Sequence, residues 1–133
     1  MWEKQGCDDV PRKPPSFDKF AAMLDRAVDR IPPHFLRDLT GGFNLRKGKK
    51  LEGEYYILGE YIEDGIGGCF IMFYYGSFVG LLEDEPDDCW EAEIVDTVLH
   101  EMQHHLESQA GCDDLARKEI EELARALQDG PIE

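Results

Sequence analysis

The sequence predicts an α+β domain. Three observations predict it. Apolar residues recur at helical spacing near both ends of the chain. The middle is rich in aromatic and β-branched residues and broken by glycine turns. One long amphipathic segment, from about Asp88 to Gln109, carries the pattern His-Glu-x-x-His at His100, Glu101 and His104.

In chain order, residues 1–15 contain three prolines and read as a flexible lead-in. Residues 16–133 read as a single domain, long enough to bury a modest core. Ser16 is a good N-cap, and Phe17, Phe20, Ala21, Leu24, Val28 and Ile31 follow at helical spacing. Pro32 and Pro33 end that helix. A short second helix over 34–39 is closed by Gly41 and Gly42. A short strand is expected over 43–45, and longer ones over 55–62 and 69–79. Residues 63–68 (EDGIGG) supply hairpin turn chemistry between the last two. Gly76, beside Ser77, marks a bulge or a close backbone approach in the second long strand. A final helix is expected over 115–127.

The segment from Asp88 to Gln109 organises the rest. Ile94, Val95, Val98, Met102 and Leu106 recur at spacings of three and four and form a buried stripe. Glu93, Asp96, His100, His104 and Glu107 fall on the opposite face, with Glu101 beside them. Residues four apart on a helix lie one above the other. Two imidazoles so placed can share one Zn²⁺, and the glutamate after the first is placed to act as a general base on water. His105 points toward the apolar stripe and reads as a packed group rather than a ligand.

A catalytic zinc needs a third protein ligand. Glu107 shares the helical face, but seven residues from His100 is about 10.5 Å of rise, and His104 crowds the space between. A residue beyond Gly111 can turn back toward the metal. Asp114 ranks first, Asp113 second and Glu107 third. Glu107 could instead orient a ligating histidine, and either aspartate could cap the last helix.

Composition narrows the function. The net charge is −15, and residues 83–133 hold 17 acidic and 3 basic residues. Such a surface repels phosphate backbones, so no nucleic-acid partner is expected. No apolar run approaches the length that spans a bilayer, and the N-terminus lacks a secretory h-region. A cytoplasmic protein without a membrane partner is therefore expected. Cys7, Cys69, Cys89 and Cys112 show no CxxC spacing and read as reduced thiols.

The runs HEMQHHLES, ILGEY (57–61) and YYGSF (74–78) together resemble the small bacterial zincin-like metallopeptidases. The resemblance covers about 17–123. It implies a minimal zincin-like α+β fold, with a short mixed β-sheet packed against the HExxH helix and helices at both termini. It implies Zn²⁺ at His100 and His104, with Glu101 as the catalytic carboxylate. Related minimal zincins carry HExxHxxGxxD. Here Gly111 comes four residues later and Asp114 holds the corresponding place after it.

The expected function is zinc-dependent hydrolysis of a peptide or protein substrate, with Glu101 as general base. Tyr74 or Tyr75 is a candidate to hold the oxyanion. Two alternatives stand beside it: a zinc hydrolase acting on RNA, and a non-enzymatic metal-binding interaction module.

Overall fold

The computed structural model describes residues 13–65, 68–110 and 113–129; the side chains of 110, 113–115 and 129 lie outside that description. The first helix, α1 (Phe17–Val28), starts where the Ser16 hydroxyl accepts the Lys19 amide at 3.1 Å. Its apolar face buries Phe20, Met23, Leu24 and Ala27. One 3₁₀ turn (Pro33–Leu36) replaces the expected short helix and buries Phe35.

Five strands follow: β1 (Phe43–Arg46), β2 (Leu51–Glu52), β3 (Tyr55–Tyr56), β4 (Gly59–Glu63) and β5 (Cys69–Tyr74). The main sheet has the order β1-β5-β4. β1 runs parallel to β5, with Phe43 opposite Ile71. β4 runs antiparallel to β5, with Gly59 opposite Phe73 and Glu63 opposite Cys69. The sheet is therefore mixed, and β4 is one of its edges. β2 and β3 form a separate small hairpin.

Two expectations are corrected here. The strand expected over 55–62 is broken after Tyr56 and resumes at Gly59. The strand expected over 69–79 ends at Tyr74, and Tyr75–Leu82 is a helix, α2. The physical reason is visible at the junction. Ser77 Oγ accepts the Lys50 amide at 2.8 Å and donates to the Lys50 carbonyl at 3.0 Å. Gly76 lies so close to the 48–49 main chain that a Cβ there would sit 2.7 Å from Gly48 C and Lys49 N. The close backbone approach expected at Gly76 is present, but on a helix.

The long helix α3 (Asp87–Ala110) and the last helix α4 (Asp113–Asp129) complete the chain. Ile94, Val98 and Met102 are fully buried and Leu106 nearly so, as their spacing predicts, whereas Val95, expected with them, is half-buried and Trp90, one turn earlier, is fully buried. They share one core with Phe20, Ile71, Phe73 and Phe78, and with Leu123 and Leu127 of α4. Among the described residues no helix is long and apolar enough to cross a membrane.

Replacing Val98 with Asp tests this arrangement. The side chain is fully buried, so the new carboxylate lacks both water and a partner. The expected loss of folding stability is about 3 kcal/mol or more, read from denaturant unfolding. An unchanged melting temperature would contradict the packing described.

Candidate metal centre

The site is built on the side of α3 that faces β4. Thr97, Glu101 and His105 are spaced by four residues, so they stack along that side. All three are buried, at 7, 7 and 0 % exposure. α3 thus has two buried faces, one apolar and one polar. Across from it, strand periodicity sends Gly59, Tyr61 and Glu63 to a common face. Gly59 sets the distance: a Cβ there would lie 3.0 Å from Thr97 Cγ2 and 3.3 Å from the Met72 carbonyl. A side chain there would have to push Thr97 or the strand back by a few tenths of an ångström, so glycine suits this close approach. Further along, the Tyr61 hydroxyl meets His105 Nδ1 at 3.0 Å, and Ser108 Oγ donates to Glu63 Oε2 at 2.8 Å.

His100 and His104 project from the same helix, both exposed, with ring centroids 5.2 Å apart and planes at 86°. Glu101 lies between them in sequence. Burial is the main force on its carboxyl and pushes the pKa up. The two imidazoles, and after them the nearby Tyr61 main-chain N–H, act in the opposite direction. Two cavities meet at this residue. One, of about 270 Å³, is bounded by Tyr56–Gly59, Glu93, Asp96, Thr97 and His100. The other, of about 450 Å³, is bounded by Ile57, Gly59–Tyr61, Glu63, His104 and Ser108.

The linings are acidic. Glu60, Glu63, Glu93, Asp96 and Glu101 border one or both cavities, and among the described residues no lysine or arginine lines either. Glu60 is held by Lys50 at 2.8 Å and by the Tyr74 hydroxyl at 2.7 Å. The Lys50 bond, then the Tyr74 bond, keep its pKa below the usual carboxylate range.

The histidine pair fits one shared metal ion in donor type and spacing on the helix. Among the described residues no group of three His, Cys, Asp or Glu comes together around one ion. Glu107 is exposed and does not complete such a group with the histidines. Asp113 and Asp114 begin α4, and their side chains, like Gly111 and Cys112, lie outside the described residues.

His105 packs as its helical position predicts: its Nε2 donates to the Arg37 carbonyl at 3.1 Å. Tyr74 and Tyr75 line neither cavity. The Tyr74 hydroxyl donates to Glu60, and the Tyr75 hydroxyl donates to the Pro15 carbonyl, beside Phe17, Phe20 and Trp90. Sequence reasoning missed Tyr61 and Gly59, the two residues that bring β4 to the helix. The alternation of β4 could have found the shared face but not the helix it meets.

The raised pKa of Glu101 yields a prediction for the metal-free protein. Below the unfolded-state pKa the group is protonated in both states and costs nothing. As pH rises through the raised folded-state value, the buried carboxylate loses its proton and folding stability falls. Glu101→Gln removes that penalty. In chelator, the variant is expected to melt above the wild type at pH 7, with the gap closing below about pH 4. A gap independent of pH would contradict the assignment.

No protein-family model matches the chain, and no curated protein matches it. Among solved structures, a conserved hypothetical protein from T. thermophilus is 34% identical, with a TM-score of 0.63. The match covers 74% of this chain and 100% of that one. With that identity over the whole of the relative, the chain belongs to the family of this conserved hypothetical protein.

Proposed function

We propose that the protein is a zinc-dependent peptidase of the minimal zincin-like type. One observation carries the reading: a buried glutamate lies where two cavities meet, flanked by two exposed imidazoles on one helix. His100 and His104 would hold the metal, with Asp114 as the third ligand. Zn²⁺, when bound, supplies Lewis acidity to a scissile carbonyl and to water.

The chain's own residues do the rest. Glu101 accepts a proton from the attacking water and returns it to the leaving amine. Its burial raises its pKa toward the range in which a general base works well. β4 borders both cavities and lies at a sheet edge, which suits an extended peptide added as a further strand. The acidic lining favours cationic over anionic substrates and so supports a peptide over RNA.

The first test is occupancy. The purified protein is expected to bind about one Zn²⁺ per chain, by elemental analysis. His100→Ala or His104→Ala should abolish binding, and Asp114→Ala should weaken it much more than Glu107→Ala. Stoichiometric metal in both histidine variants would remove the basis of the reading.

The second test is chemistry. Glu101→Gln should keep fold and metal, while hydrolysis of a peptide library falls by at least about 100-fold. Equal hydrolysis by variant and wild type would remove Glu101 as the base, and no hydrolysis by the zinc-loaded wild type would leave a metal-binding module without catalysis.

A further inference from the structure

Tyr61 touches the helix at two points. Its main-chain N–H lies beside the Glu101 carboxyl, both bordering one cavity, and its hydroxyl meets His105 Nδ1 at 3.0 Å. Glu101 and His105 are one helical turn apart on the same side of α3. One strand residue is therefore gauged against two successive turns of the helix.

The direction of each bond follows from donor chemistry. A carbonyl only accepts, so the 3.1 Å contact of His105 Nε2 with the Arg37 carbonyl places a proton on Nε2. In the tautomer with its proton on Nε2, Nδ1 accepts and the Tyr61 O–H donates. Burial, with Cys69 close by, pushes the Tyr61 pKa up to about 12, so the phenol keeps its proton.

The far end of this chain is also tied down. Cys69 Sγ donates to the Asp38 carbonyl at 3.0 Å, next to Arg37. Asp38 itself holds φ of +69°, a left-handed conformation that aspartate adopts more readily than most non-glycine residues. The sequence Arg37 carbonyl, His105, Tyr61, Glu101 thus runs from a braced loop to the candidate base. His105 is fully buried, so water does not compete for either ring nitrogen.

We infer that Tyr61 and His105 are positioning residues for Glu101: the phenol–imidazole bond fixes β4 at the height where the Tyr61 amide lies beside the carboxyl on their shared cavity. The inference rests on the peptidase reading for its catalytic meaning, but the geometric coupling is independent of it. A general base must be held within hydrogen-bond reach of the proton it takes, and small displacements are costly. The third histidine of the HEMQHH run then acts through a strand and not on a metal.

The variant for the test is Tyr61→Phe, which removes one hydroxyl and spares the buried imidazole that His105→Ala would delete. The first readout is the amide resonance of residue 61 in ¹H–¹⁵N spectra of the full-length, metal-free protein. Glu101→Ala gives the position of that amide without its carboxylate. In Tyr61→Phe the resonance is expected to move toward that position. The second readout is kinetic: kcat on the peptide library falls about tenfold to a hundredfold, with KM and zinc affinity little changed.

An amide that ignores Glu101→Ala, or that Tyr61→Phe leaves at its wild-type position, overturns the inference. So does an unchanged kcat in an active enzyme. If the wild type proves inactive while the amide responds to both variants, the positioning stands and the peptidase reading fails.

Discussion

Everything at the candidate site depends on how closely β4 approaches α3. Gly59 meets Thr97, Tyr61 meets His105 and Glu63 meets Ser108. The four steps from Gly59 to Glu63 span about 14 Å and the eleven from Thr97 to Ser108 about 16 Å, so the ends of the contact match, and the long Tyr61 side chain bridges its middle. The contact is mostly polar. It holds through matched donors and acceptors and through the missing side chain at Gly59. Burial of apolar surface stabilises the other face of the same helix, where Val98 and Met102 are sealed in the core. The helix is thereby fixed from one side and measured from the other.

The electrostatic setting follows from the same contact. Bringing β4 against α3 collects carboxylates from both elements around one cleft. Lys50 and Tyr74 satisfy Glu60, and Ser108 satisfies Glu63. Glu101 has two neighbouring imidazoles and the nearby Tyr61 main-chain N–H, and burial outweighs them. The cleft therefore differs from the general acidic surface of the C-terminal half: its most deeply placed carboxyl is also the one most disturbed by desolvation.

Much of this was legible in the sequence. The motif helix was readable because five apolar residues repeat at spacings of three and four, and four of them, all but Val95, are buried. Ser16 announced the start of α1, and the place of His105 beside the apolar stripe announced its packing. α2 was not recognised, for a physical reason. The run from Cys69 to Val79 is apolar without a charged residue to show a period. Tyr75, Phe78, Val79 and Leu82 do recur at helical spacing, but the spacing is hidden inside a continuous apolar stretch. The role of Tyr61 was not readable, because a strand's alternation names a face and not the element that the face meets. The third ligand stayed open because sequence order says little about where a chain points after a glycine.

Gly80 of α2 lies well away from the histidines in sequence, yet the Tyr56 ring lies directly against it. A Cβ at position 80 would fall 2.3 Å from Tyr56 Cζ. Tyr56 is also a wall of the cavity beside His100. The wall is therefore set from behind, by an element that contributes nothing to the chemistry. A methyl group added to α2 would tilt the ring inward or expel it and reshape that end of the cleft without altering any reactive residue. Cleft shape and chemistry are in this way separately mutable: selection could retune what enters the site through position 80 while leaving the motif helix untouched.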